Sequence, residues 1–233
     1  VWIDGGSVNT LLIGSSGDLG ALSGSAVQYT GAGNMSVTNN GTVRGSVSLS
    51  DTSTHKGVFT NSSSGHFYAQ GSVNAVVMDS GTVFVGTDDS VAATATVSGS
   101  YLQDVNAGTL AMDIFGVNDH DEFLFEGSGY GEFFGNLSVT FHPSYTPHIG
   151  DTFVIIGPSS ASVYSPEWVA STLDPNAVSV TGLGPGVTWM TGLGGDRSYA
   201  LTIASIPEPG SLGLIAIGLY LLARRVRRAA RGY

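Results

Sequence analysis

The stretch Gly41-Thr42-Val43-Arg44-Gly45-Ser46-Val47-Ser48-Leu49 decides how the chain is read. It holds two consecutive units of glycine, a small hydroxylated residue and valine. Glycine frees the backbone to turn at a corner, and the residues after it start a short strand with one apolar side chain pointing inward. The unit recurs at Gly6-Ser7-Val8, Gly71-Ser72-Val73, Gly81-Thr82-Val83 and Gly108-Thr109-Leu110. Its spacing is irregular, which a solenoid of roughly 20–30 residues per turn tolerates because insertions fall in loops. Apolar or alternating segments such as Val8–Ile13, Val73–Met78, Val91–Val97, Thr109–Phe115, Asn136–Phe141, Thr152–Ile156 and Tyr199–Ile203 are bounded by Gly, Asn, Ser or Asp. Short β-branched runs between turn residues read as strands. No helical period is found before residue 206. The fold expected is all-β: a parallel β-helix-like solenoid over 1–106 and a stacked-strand C-terminal region over 107–205 that closes it. A β-sandwich with glycine-rich turns is the alternative.

Composition narrows the function classes. The 233 residues suffice for a sizeable core. Glycine accounts for 34 of them and mean hydropathy is +0.19, so the chain is not a charged disordered tail. The absence of cysteine excludes a disulfide scaffold, a zinc ribbon, an iron–sulfur site and a thiol nucleophile. Val1 stands where a Met would, which reads as a fragment or processed form, with any signal peptide upstream. Val1–Ile206 carries Arg44, Lys56 and Arg197 against seventeen acids, a net of −14. A surface that acidic repels phosphate backbones, so no nucleic-acid partner is expected.

From Ala107 the texture changes. The order is Ala107-Gly-Thr-Leu, then Asn118-Asp119-His120-Asp121-Glu122 before an apolar strand, then Asn136-Leu-Ser-Val-Thr-Phe. Last comes a Tyr-x-Pro-x-x-Gly-Asp-x-Phe turn carried by Tyr145, Pro147, Gly150, Asp151 and Phe153. This order resembles the C-terminal segment of bacterial surface β-helix proteins with autotransporter-like strand repeats. The resemblance implies a stacked-strand region closing the helix end, without catalysis.

The last segment, 206–233, has three parts in a fixed order. Pro207-Glu208-Pro209 is followed by fourteen uncharged residues, Gly210 to Ala223, and then by Arg224, Arg225, Arg227, Arg228 and Arg231. The prolines hold the chain extended, as a processing enzyme needs. A helix over 210–223 spans ~21 Å, short of a ~30 Å hydrocarbon core, and snorkelling arginines with local thinning cover part of the difference. Its apolar side chains surround the axis, which argues for one transmembrane helix rather than an in-plane one. The arginines stay cytoplasmic and place the body on the far side. The three parts together resemble the PEP-CTERM sorting signal of Gram-negative bacteria. That resemblance implies export across the inner membrane and recognition of Pro207, Glu208 and Pro209 by an exosortase. Release to the cell surface or extracellular matrix, in association with exopolysaccharide or biofilm, is implied as well.

Other chemistry has weaker signals. Asn118, Asp119, Asp121 and Glu122, with Glu126 nearby, are rich in the oxygens calcium takes, but the EF-hand spacing and the Gly-Gly nonapeptide are absent. The cluster reads as a solvated turn, with Asp88-Asp89 a lesser case, and no cofactor is expected. His55, His66, His120, His142 and His148 form no His-x-x-x-His pair, which argues against zinc catalysis. There is no Gly-x-Ser-x-Gly elbow. Arg44 and Lys56 alone would serve an acidic sugar within the solenoid. Tyr68, Tyr101, Tyr130, Trp168 and Trp189 are aromatics that could stack on sugars, though strand packing is the ordinary use. The chain is therefore expected to be an exported structural protein and not an enzyme. A carbohydrate-binding module of the matrix is the first alternative, and a β-helix glycan-active enzyme the second.

Overall fold

The computed structural model describes residues 1–4, 8–31, 33–49, 57–86, 91–105, 107–127, 129–159, 174–193 and 198–206. The expected helix over 210–223 lies outside them. The chain opens with β1 (Trp2–Ile3), β2 (Val8–Ile13), β3 (Asp18–Tyr29), β4 (Asn34–Asn39) and β5 (Thr42–Ser48). It continues through β6 (Val58–Asn61), β7 (His66–Ala69), β8 (Gly71–Asn74), β9 (Val76–Asp79), β10 (Thr82–Val85), β11 (Thr94–Val97) and β12 (Ser100–Gln103). Then come β13 (Thr109–Gly116), β14 (Asp119–His120), β15 (Glu122–Phe125), β16 (Tyr130–Phe133), β17 (Asn136–Phe141) and β18 (Thr152–Pro158). β19 (Val178–Thr181), β20 (Val187–Leu193) and β21 (Tyr199–Ser205) stand at the C-terminal end.

These strands wind into a parallel solenoid. One face is the 6-stranded sheet β2-β4-β6-β9-β12-β16. A second face stacks the first halves of β3 and β5 on β7, β10, β13, β17 and β19, and a third stacks their second halves on β8, β11, β15 and β18. Because β3 and β5 bend through the corner and belong to both, these two faces form one 15-stranded sheet. Pairing between turns is parallel throughout the stack, which excludes the face-packed sandwich. Antiparallel pairs occur at β13–β14, β18–β21 and β20–β21. The parallel ladder runs on from β10 to β13 and from β12 to β16, so stacking continues past residue 106.

Alternation builds the core. In β5 Val43 and Val47 point inward and are fully buried, while Arg44, Ser46 and Ser48 face out. Each inward residue meets its counterpart on the next turn, as in the column Val43, Phe67, Val83, Leu110, Leu137, Val178. Burying such a side chain contributes about 1.5–3 kcal/mol. The aromatics Tyr101, Phe123, Phe125 and Phe133 gather in the C-terminal half, with ring centroids 5.0–6.3 Å apart.

The glycines mark two corners. At the bend of β5, Gly45 has φ +119°, a backbone conformation few L side chains adopt, and Gly24, Gly71 and Gly86 repeat the positive φ on other turns. At the corner before β5, β7, β10, β13 and β17 stand Gly41, Gly65, Gly81, Gly108 and Gly135. A Cβ on Gly81 would lie 2.3 Å from the Ser62 carbonyl oxygen and 2.4 Å from that of Gly65. The glycine-threonine-apolar unit is thus the place where one turn's backbone presses against the turn below.

Candidate functional site

Beside this second corner runs a column of buried polar side chains. Asn39, Asn61, Asp79 and Gln103 are successive register partners, each no more than 2% exposed. The turns linking them are 22 residues long from Asn39 to Asn61 and 18 from Asn61 to Asp79. Asn39 Nδ2 donates to Asn61 Oδ1 at 2.9 Å, and Asn61 Nδ2 donates to Asp79 Oδ1 at 2.8 Å. The Gly41 and Gly81 amides donate to Asn39 Oδ1 and Asp79 Oδ1, and Gly135 N to Gln103 Oε1, each at 3.1 Å. The Tyr101 hydroxyl closes the set by donating to Asp79 Oδ2 at 2.8 Å. Burial pushes the Asp79 carboxyl up to about 6, against the opposing hydrogen bonds from Asn61, Tyr101 and Gly81. Burial also raises the Tyr101 hydroxyl, with the Asp79 charge adding to it. The column is a clamp on the corner, satisfying polar groups in a dry core. Its signal in the sequence is an amide or carboxylate two residues ahead of a corner glycine, as in Asn39-x-Gly41 and Asp79-x-Gly81.

The oxygen-rich cluster is dispersed. Asp121 is buried, its Oδ1 accepting the Ala93 amide and its Oδ2 the Asp113 amide, both at 2.8 Å. Asn118, on the turn between β13 and β14, and Asp119, the first residue of β14, are exposed, and Glu122 faces outward 3.9 Å from His120 Nε2. Glu126 follows β15 and its amide bonds the Val97 carbonyl. Among the described residues no three His, Asp or Glu side chains converge as metal ligands. A cavity of about 230 Å³ is lined by Ala92–Thr94 and by Asn118, Asp119, His120 and Glu122. His120 lines it, with Nε2 3.2 Å from the Val154 carbonyl oxygen and Nδ1 buried without a partner among the described residues. Asp88-Asp89 lie outside those residues.

The aromatics separate equally clearly. Tyr101 is wholly buried, which removes it as a sugar-stacking side chain. Tyr68 stacks on Phe84 at 4.6 Å and carries the Arg44 guanidinium 5.0 Å from its ring centre, while Arg44 pairs with Asp18. Tyr130 donates its hydroxyl to Glu132, and Trp189 packs partly buried against the core. Trp168 and Lys56 lie outside the described residues.

The Tyr145-x-Pro-x-x-Gly-Asp segment is a closed turn. Asp151 Oδ2 accepts the Tyr145 hydroxyl at 2.5 Å and the His148 amide at 2.7 Å, and Gly150 takes φ +97°. Those two hydrogen bonds hold the Asp151 carboxyl below its ordinary range. Burial, then Asp151, raises the Tyr145 hydroxyl. The turn feeds β18, which pairs with β21, and the Gly150 amide bonds the Ile203 carbonyl. β21 ends at Ser205, and two residues later the Pro207-Glu208-Pro209 triad begins.

Residues 205–228 match the PEP-CTERM protein-sorting motif. The motif is a signal for processing by exosortase, and it marks this chain as an exported protein sorted to the cell surface. The match takes in the triad, the uncharged run and Arg224, Arg225, Arg227 and Arg228. No curated protein and no solved structure matches the chain, so the autotransporter-like resemblance of 107–156 has no relative behind it, although the β-solenoid itself is present. The triad and the arginines lie outside the described residues. Among the described residues no helix is long and apolar enough to cross a membrane.

Proposed function

We propose that the chain is a structural protein of the cell surface or extracellular matrix, associated with exopolysaccharide or biofilm, and not an enzyme. The observation that carries this reading is the sorting motif, which begins at residue 205, where the last strand of the β body ends. In the precursor, residues 210–223 hold the chain in the inner membrane. Arg224, Arg225, Arg227, Arg228 and Arg231 keep the tail's end cytoplasmic, and exosortase binds Pro207, Glu208 and Pro209 on the far side. The body suits a structural role because its side chains serve stacking. The candidate carboxylate Asp121 is occupied by backbone amides, and Arg44 is engaged by Asp18 and Tyr68.

The test is to place an epitope tag in the solenoid and fractionate an exosortase-bearing host beside an exosortase-deletion strain. The tag is expected in the matrix fraction of the first and the inner membrane of the second. Equal recovery from the matrix of both strains would overturn the reading. Glycan-array binding by the released body would favour a carbohydrate-binding module, and turnover of a polysaccharide would favour a glycan-active enzyme.

A further inference from the structure

We infer that the C-terminal end of the solenoid is a lipid-contact surface, on which the uncut protein seats β20 and the chain exit against the bilayer that holds residues 210–223. The inference rests on the anchoring just proposed and adds the face that meets the membrane.

The tether is short. β21 ends at Ser205 and the uncharged run begins at Gly210, so the intervening chain reaches roughly 18 Å at full extension. Headgroups occupy about 5–8 Å on each side of the hydrocarbon, so the tether holds this end of the body within reach of them. At the exit itself Ile149 is 66% exposed and Ile206 50%; Met190, opposite Thr202, is 59% exposed, and Leu193, opposite Tyr199 at the far end of β20, is 53% exposed. Ile149 precedes the Gly150 amide bonded to the Ile203 carbonyl, and the Ile206 amide bonds the Gly186 carbonyl, which brings both to the exit corner. Met190 and Leu193 lie on β20, the last strand of its sheet among the described residues.

Charge agrees with this seating. The body is acidic overall, yet residues 175–206 hold one acid, Asp196, and one base, Arg197. With Asp151 in the turn beside Ile149 and Asp174 just before this stretch, the end carries little charge for so acidic a body, which limits the repulsion an acidic surface meets at anionic lipid headgroups. Edge strands in water are normally guarded by charges, and β20 runs Val-Thr-Trp-Met-Thr-Gly-Leu without one. Its Trp189, partly buried, suits the boundary between apolar and wet surroundings. At the opposite end Trp2 and Leu12 are also exposed. Six stacked strands at ~4.8 Å put them roughly 25 Å away along the stack, beyond the tether's control.

The absence of cysteine permits a clean label. The full chain, as Met190→Cys or Leu12→Cys, would carry an environment-sensitive fluorophore and be reconstituted into vesicles of phosphatidylethanolamine and phosphatidylglycerol. Both variants should float with the vesicles. Spin-labelled lipid should quench the label at 190, with blue-shifted emission, and leave the label at 12 unchanged. Flotation with a water-like, unquenched label at 190 would overturn the inference and leave anchoring intact. Failure to float would overturn anchoring and the inference with it. A blue shift at 190 that grows with protein concentration and ignores spin-labelled lipid would assign β20 to a second copy of the chain, and would also overturn the inference.

Discussion

Asp79 concentrates the chemistry of the interior in one carboxyl group. Unfolded, it titrates near 3.8; folded, at about 6, chiefly because it is buried. The folded state therefore holds the proton more tightly, and this group's contribution to stability is greatest below pH 3.8 and is lost as pH rises towards 6. Its size is roughly 3 kcal/mol. Asp79→Asn keeps an acceptor for Asn61 and Gly81 and removes the charge. Measured by denaturant unfolding, parent minus variant stability should fall between about pH 4 and 6 and stay level above. A flat difference across that window would show that Asp79 keeps an ordinary carboxyl in the fold. Gly81 makes the complementary case in packing. Gly81→Ala drives a methyl into two carbonyl oxygens of the turn below and is expected to cost about 1–3 kcal/mol. An unchanged unfolding midpoint would mean that the corner yields freely.

At the scale of elements, the turn before β18 is held by one side chain. Asp151→Ala removes the acceptor shared by the Tyr145 hydroxyl and the His148 amide, and is expected to cost about 2 kcal/mol. Hydrogen exchange should then show faster opening of β18 and β21 than of β5 and β7. Uniform loss of protection would contradict a local role for the turn. The corner glycines made the solenoid readable from sequence, because close approach of two backbones forbids a side chain and so leaves a repeated mark. Other features left no comparable mark. The alternation in Ser100–Gln103 does not say which face is inward, so Tyr101 reads equally well as a surface aromatic, and only register against Val77 buries it. The change of texture at Ala107 is not a break in the stack, since Gly108-Thr109-Leu110 stacks on Gly81-Thr82-Val83 as one more turn. Asp121 reads in sequence as part of a solvated turn, because spacing cannot show that the side chain is buried and that two backbone amides occupy it.

For the whole molecule, the decisive feature is the division between an acidic body and a basic tail. On the proposed reading the arginines set topology and the triad sets recognition, so the two should fail separately. Replacing Arg224, Arg225, Arg227, Arg228 and Arg231 with Ser removes the positive charge of the tail, and protease protection in membrane vesicles should then show mixed orientation of the body. A single, unchanged orientation would contradict their role in topology. Replacing Pro207, Glu208 and Pro209 with Ala leaves the uncharged run intact, so insertion should persist while recognition is lost. The most direct measurement is fractionation of this triple-Ala chain, tagged in the solenoid, in an exosortase-bearing host. Uncut protein accumulating in the inner membrane is the result predicted. Delivery to the cell exterior as efficient as that of the parent chain would contradict sorting through the triad.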